Sequence, residues 1–329
     1  MKLKRFKNNP SITPRGDDWE ACATFNPAAI YKDGKIHLLY RAVGDYLKYA
    51  ANLGYAIFDK NLNLIKRFDE PILGPDIKVW EFSIEDPRIC EIEGELFLTY
   101  VVTPTPFCPG PVRIRLGIPK PAQSLAYTAL AKGNDFFNFT RQGVITPFGV
   151  GERDTMFFPE KINGNYAVIH RPSNWIGSDY YGIKAPGIWF AYYNDEHKYL
   201  YNHKFMMASE RNWESKKIGA GAPPIRTEAG WLLLYHGVDK DNVYRAGAVL
   251  LDLKEPWKVI IARTPEPILE PEEDYERVGD VPNVVFPEGN FIIGDELIVI
   301  YGAADKVCCA AKIKLDEFID YMFKNCKVE

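Results

Sequence analysis

The chain has 329 residues, 47% of them apolar and 26% charged, the balance of a globular protein with room for one large all-β domain or two ordinary ones. A net charge of –4 and no long basic run argue against nucleic acid or an anionic membrane as the main partner. With 24 prolines, 25 glycines and 14% aromatic residues, the chain reads as many short strands joined by turns.

The opening Met1-Lys2-Leu3-Lys4-Arg5-Phe6-Lys7 is basic but lacks the apolar segment of a signal peptide. No stretch approaches the length of a membrane-spanning helix, so a cytoplasmic protein is expected. A turn glycine followed by an apolar strand ending in Tyr or His then recurs five times. The instances are Gly34 with Ile36 to Tyr40, Gly94 with Leu96 to Tyr100, Gly164 with Tyr166 to His170, Gly230 with Trp231 to Tyr235, and Gly294 with Leu297 to Tyr301. Their spacing of roughly 60–70 residues points to a propeller or an array. About eight residues before each glycine lies a proline-containing segment: Phe25-Asn26-Pro27, Glu85-Asp86-Pro87, Phe158-Pro159-Glu160, Ala222-Pro223-Pro224 and Val281-Pro282-Asn283. A further strand pair follows each hairpin, as in Leu53 to Phe58 with Leu62 to Phe68, or Ala246 to Leu251 with Val259 to Ala262. Four strands per unit and five units predict a five-bladed β-propeller, one all-β domain over residues 1–329. A two-sheet sandwich is the competing architecture, but five like units favour closure. Only Leu315 to Lys324 has helical spacing, and it is expected as a short C-terminal helix on the outside.

The stretch Glu85-Asp86-Pro87-Arg88 stands out chemically. Proline pushes the residue before it out of the helical region, so Asp86 is expected on extended backbone with Arg88 on the same face. Equivalent positions of successive blades face one end of the channel. There the segments before the first strands supply Asn26 and Asp86, and the ends of the second strands supply Arg41, His170-Arg171, His236 and Asp305. A lone arginine at a strand end is ordinarily a solvated edge, but several converging suggest an anionic ligand at the channel mouth. No nucleophile elbow, zinc-protease helix or phosphate-cradling loop is present. Gly219-Ala220-Gly221-Ala222-Pro223-Pro224 lacks the third glycine of a dinucleotide loop, and Pro-Pro forbids the helix that should follow. The six cysteines (Cys22, Cys90, Cys108, Cys308, Cys309, Cys326) lack metal-ligand spacing and are expected as reduced thiols. Neither a catalytic metal nor a redox cofactor is expected.

Phe25-Asn26-Pro27-Ala28, Leu39-Tyr40-Arg41-Ala42, Glu85-Asp86-Pro87-Arg88, Phe158-Pro159-Glu160-Lys161, His170-Arg171-Pro172, Lys217-Ile218-Gly219-Ala220-Gly221, Tyr235-His236-Gly237-Val238 and Tyr301-Gly302-Ala303-Ala304-Asp305 follow one another between about Asn9 and Asp305. In that order they resemble glycoside hydrolase family 130, the β-mannoside phosphorylases, whose fold is a five-bladed propeller. The resemblance implies reversible phosphorolysis with inversion, in which inorganic phosphate attacks a β-1,4- or β-1,2-linked manno-oligosaccharide and releases α-mannose 1-phosphate. It implies phosphate as co-substrate, no other cofactor, and a homo-oligomer for which Leu315 to Lys324 is a plausible contact. Carried over by matching motifs, Asp86 is the general acid, acting through a mannose hydroxyl with a pKa raised by burial against the sugar. Asn26, Arg41 and Asp305, with Arg88 beside the acid, are the mannose-binding set. Arg171, Lys217 and His236 match the phosphate-holding positions, and Arg153 and Tyr244 join them, although Glu152-Arg153-Asp154 aligns only loosely. The proline-rich insertion Thr103 to Gln123 is expected to shape the acceptor side or a subunit contact. Trp80, Phe82, Trp175 and Tyr181 are candidates for stacking on sugar faces. Two other readings remain open: a hydrolase of the same fold with Glu81 or Glu152 as base, and a non-catalytic glycan-binding propeller.

Overall fold

Each predicted glycine turn falls within the hairpin formed by the first two strands of an antiparallel sheet, and the computed structural model contains five such sheets among its described residues, 1–105, 109–117, 125–173, 175 and 185–328. Blade 1 is Ala23–Lys32, Lys35–Val43, Ala51–Phe58 and Leu64–Arg67. Blade 2 is Ser83–Ile92, Glu95–Thr103, Tyr127–Gly133 and Phe139–Val144. Glu152–Phe157, Tyr166–Pro172, Ile188–Asn194 and Tyr199–Met207 make blade 3. In blade 4 the innermost strand is broken into Lys217–Ala220 and Ile225–Thr227, both paired with Gly230–Val238, because Pro223 and Pro224 have no N–H for the ladder. Tyr244–Leu251 and Ile260–Arg263 complete it. Blade 5 is Val285–Ile293, Glu296–Ala303 and Val307–Lys314, and its outer strand is Lys4–Arg5 from the other end of the chain. Pairing the two chain ends in one blade closes the ring, so the fold is a five-bladed propeller.

The innermost strands carry a recurrent irregularity. Their register slips between Phe25 and Pro27, Glu85 and Arg88, Arg153 and Met156, and Pro287 and Gly289. At three of these bulges the extra residue is left-handed: Asn26 at φ +48°, Asp86 at +48° and Asp154 at +57°. Asn and Asp tolerate that region because a short polar side chain can hydrogen-bond locally, and a bulge re-aims its side chain. This corrects the expectation that Asp86 sits on extended backbone. It also corrects the repeat: the counterparts of Asn26 and Asp86 are Asp154 and Glu288, not Phe158-Pro159-Glu160 and Val281-Pro282-Asn283. What repeats is the bulge, and proline is only one residue type that a broken ladder accepts.

The Tyr or His expected to end each second strand lies two or three residues before its end, and it also finds its reason. The Tyr40 hydroxyl donates to Glu20 at 2.6 Å and accepts from Arg67 Nε at 3.0 Å, while Arg67 Nη2 donates to Glu20 at 2.6 Å. Tyr100 and Arg141 both donate to Glu81, at 2.9 and 3.1 Å. Arg263 donates to Tyr235 at 3.2 Å and to Glu214 at 2.5 Å. Tyr301 and Arg5 Nε both donate to Glu276 at 2.8 Å. Blade 3 substitutes imidazoles, with His170 Nδ1 2.9 Å from Glu152 and His203 Nδ1 3.1 Å from His170 Nε2. In each blade the carboxylate leads into or opens the innermost strand. In four blades its Arg partner lies on the outermost strand, and in blade 3 His170 on the second strand links Glu152 to His203 on the outermost, so each blade is tied across its width. Glu81 and Glu152 are therefore latch residues. The hydrolase reading loses both of its candidate bases.

The C-terminal helix, Leu315–Asn325, packs Phe318 and Met322 against Leu250, Ala262, Leu297 and Ile313 of blades 4 and 5, on the outside of the ring. A shorter helix, Gly110–Leu116, lies inside the proline-rich insertion and seats Val112 among Phe25, Val43, Tyr49 and Ala51 of blade 1. Among the described residues no helix is long and apolar enough to cross a membrane.

Candidate active site

The bulges open onto a cavity of about 490 Å³ at one end of the channel. Asn26, Arg41, Asp86, Arg153, Arg171, Lys217, His236, Tyr244 and Asp305 all line it, so nine of the ten predicted site residues come together. Arg88 does not. It is buried on the axis beneath the cavity, where one side chain reaches three other blades. Its Nε donates to the Gly221 carbonyl at 2.5 Å, Nη1 lies 2.7 Å from Glu288 and Nη2 lies 3.7 Å from Asp154. The bulge at Asp86 breaks the two-residue alternation that would have put Arg88 beside the acid.

On one side of the cavity Asp86 Oδ1 accepts from Asn26 Nδ2 at 2.9 Å and from Arg41 Nη1 at 3.0 Å, and Arg153 Nη1 lies 3.6 Å from Oδ2. Burial acts to raise the Asp86 pKa, but Arg41, Arg153 and the Asn26 amide outweigh it and hold the carboxyl below its usual value. Asp305, in the turn after the second strand of blade 5, goes the other way. Burial and the nearby Asp86 and Asp280 charges, partly offset by Arg41 and Lys217, push it up to about 7. The resting cavity thus holds an ionised Asp86 and an Asp305 divided between its two protonation states at neutral pH.

The opposite side is cationic. Arg171 Nε donates to Asp154 Oδ2 at 2.5 Å, and His236 Nε2 stands 3.8 Å from the same oxygen. Lys217 Nζ lies 5.1 Å from the centre of the Tyr244 ring, which also faces His236 at 5.9 Å. Burial, reinforced by Lys217 and Arg171 and opposed by Asp154, lowers His236 to about 3, so its imidazole is neutral at physiological pH. Asp154 was not singled out from the sequence. Its signal was the loosely matching Glu152-Arg153-Asp154 run, in which each residue has a separate job: latch, cation beside Asp86, and anchor for Arg171.

Two motif glycines are explained by close approach. A Cβ on Gly302 would fall 2.2 Å from Asn26 Oδ1, and one on Gly219 would fall 2.2 Å from Asp154 Oδ2 and 2.4 Å from His236 Cε1. Gly219→Ala should therefore displace the anchor of Arg171 together with His236. The expected result is a rise in KM for phosphate of about tenfold or more with little change in KM for the sugar. Initial rates with each substrate varied in turn check it; equal effects on both constants would show that the clash spreads across the whole cavity.

Pro109, Gly110 and Pro111 form one wall of the cavity, so the described part of the proline-rich insertion does reach the site. The aromatic candidates fare differently. Trp80 is 78% exposed and lines no part of the cavity, nor does Phe82. Trp175 packs against His170, Trp189 and His203. Tyr181 lies outside the described residues.

A propeller whose channel mouth sets a buried carboxylate against a cluster of cations has the layout of a carbohydrate-active enzyme that handles a neutral sugar next to an anion. The chain belongs to glycoside hydrolase family 130: the family profile described as beta-1,4-mannooligosaccharide phosphorylase matches residues 2–324. It is 38% identical over 324 residues to a 1,2-beta-oligomannan phosphorylase of Thermoanaerobacter sp. strain X514, a match covering 96% of this chain and 99% of that one. It is 36% identical over 259 residues to a beta-1,4-mannooligosaccharide phosphorylase of Ruminococcus albus, covering 77% and 69% of the two chains. In three dimensions it superposes on the beta-1,2-mannobiose phosphorylase of Listeria innocua in complex with beta-1,2-mannobiose, with a TM-score of 0.78 and 26% identity over 98% of this chain and 99% of that one.

Proposed function

We propose that the protein is an inverting phosphorylase of β-linked manno-oligosaccharides, with Asp86 as general acid and Arg171, Lys217, His236, Tyr244 and Arg153 as the phosphate-holding set. The observation that carries the reading is the division of one cavity into a carboxylate side and a cation side. In an inverting hydrolase a second carboxylate must activate water. Phosphate is already an anionic nucleophile, so it needs cations to hold it in line with the anomeric carbon rather than a base. The anomeric C–O bond breaks as the phosphate oxygen bonds to carbon from the opposite face, and the proton of Asp86 passes through a mannose hydroxyl to the departing oxygen.

Asp86 has to acquire that proton first. An incoming phosphate neutralises part of the field of Arg153 and its neighbours, and the sugar displaces water from the carboxyl. Both raise its proton affinity, so the acid form arises with the substrates in place. Asn26, Arg41 and Asp305 then contact the mannose, with Asp305 able to donate or accept. Of the two linkages we favour β-1,2, because the Thermoanaerobacter relative matches over nearly its whole length. The free cysteines among the described residues, Cys22, Cys90, Cys308, Cys309 and Cys326, suit a reducing cytoplasm.

The direct test is to incubate the protein with β-1,2- and β-1,4-mannobiose, with and without inorganic phosphate, and to assay α-mannose 1-phosphate. Phosphate-dependent release, faster from the β-1,2 disaccharide, is expected. Equal sugar release without phosphate would discard the phosphorylase, and faster release from the β-1,4 disaccharide would reverse the linkage.

A further inference from the structure

Glu85, next to the acid, lines no part of the cavity and is completely buried. Its Oε1 accepts from Ser83 Oγ at 3.2 Å and lies 3.1 Å from Arg41 Nη2, while Oε2 accepts from Arg153 Nη1 at 3.1 Å. These are the two guanidinium groups that reach Asp86, at 3.0 Å from Arg41 and 3.6 Å from Arg153. In a regular strand two successive side chains point to opposite faces; the bulge between Glu85 and Arg88 lets both carboxylates meet the same arginines. Each arginine is thus aimed by Glu85 from behind, and Glu85 cancels part of the positive field that falls on Asp86.

We propose that Glu85 is a positioning residue that sets the proton affinity of Asp86 by sharing Arg41 and Arg153 with it, an inference that rests on Asp86 being the acid of a phosphorylase. The other groups facing Asp86 are Asn26 from blade 1, Arg88 from its own strand, and Asp305 and Glu288 from blade 5. A substitution at Glu85 leaves all four in place.

The consequence is directional. Phosphorolysis needs Asp86 protonated, and by microscopic reversibility synthesis from mannose 1-phosphate needs it ionised. Glu85→Gln keeps the shape of the side chain but removes its charge, which leaves the full field of both guanidinium groups on Asp86. Its proton affinity falls. The basic limb of kcat for phosphorolysis and the acidic limb of kcat for synthesis, which report Asp86 with its substrates bound, should then both move to lower pH, by on the order of one unit. A carboxylate serving only the fold would lower both rates at every pH without moving either limb.

The experiment compares pH profiles of wild type, Glu85→Gln and Glu85→Asp in both directions; the titration of phosphate itself is common to all three. A full downward shift in Glu85→Gln and a smaller one in Glu85→Asp, whose shorter carboxylate retreats from the guanidinium groups, would support the assignment. Coincident limbs, an upward shift, or an equal shift in both variants would overturn it. Should Glu85→Gln fail to fold, a Glu85→Asp profile superimposable on wild type is enough to overturn it. If wild type itself released sugar without phosphate, the phosphorylase reading would fall instead, so the two failures are distinguishable.

Discussion

Asp86→Asn should lower kcat/KM for phosphorolysis by about 10²–10⁴-fold, the range expected when a positioned proton donor is removed. Asparagine keeps the size of the side chain and can still meet Asn26 and Arg41, so the cavity keeps its shape. Arg41 and Arg153 retain Glu85 as a buried counter-charge, which limits the damage to the fold. What disappears is the proton. The loss should shrink sharply with a nitrophenyl β-mannoside, whose leaving group departs without protonation. Initial rates on mannobiose and on the aryl mannoside, with a thermal melt of the variant, decide the matter. A comparable loss on both substrates would mean that Asp86 binds the sugar rather than protonating the leaving oxygen.

Arg171→Met should act on phosphate and on stability together. Arg171 is buried, and its Nε stands 2.5 Å from Asp154, whose carboxyl burial acts to raise but Arg171, His236 and Arg88 hold well below the usual carboxylate range. Removing one partner of a buried pair leaves the other charge unmatched, at a cost of about 3–5 kcal/mol. Arg88 at 3.7 Å still attends Asp154, so the lower end of that range applies. The pH dependence has a definite sign. A carboxyl with a depressed folded-state pKa contributes stability above its unfolded pKa, near 4, and that contribution is lost as pH falls through the folded value. Wild type and variant should therefore differ most at neutral pH and converge in acid. The KM for phosphate should rise by about 10- to 100-fold, since a charge-assisted pair of hydrogen bonds is lost. Denaturant melts at pH 7 and below pH 4, with phosphate kinetics, check both parts. An unchanged KM for phosphate would place Arg171 outside the anion site and leave it a structural partner of Asp154.

Much of this architecture was legible along the chain. The turn glycines and the alternating strands after them marked the five hairpins, because a strand's side-chain period and a hairpin's need for left-handed backbone are local properties. The Tyr or His near the end of each second strand was visible as a pattern, though not its purpose. That purpose involves a carboxylate from before or at the start of the innermost strand and a partner from the outermost one, and for Tyr301 the partner is Arg5, at the far end of the chain. The same distance effect hid Asp154. Nothing near it in sequence announces that Arg171 will donate to it or that Gly219 leaves room for it.

By itself, the order of residues determined the repeat, the blade count and which polar side chains stand at blade ends, since each follows from a few neighbouring positions. Only the closed ring decided what those side chains do. A bulge is a one-residue slip between paired strands, and it turned Asp86 into the cavity while sending Arg88 down the axis. Charge pairing across blades then keeps Asp86 ionised, while burial in the closed ring leaves His236 neutral and brings Asp305 to the edge of protonation.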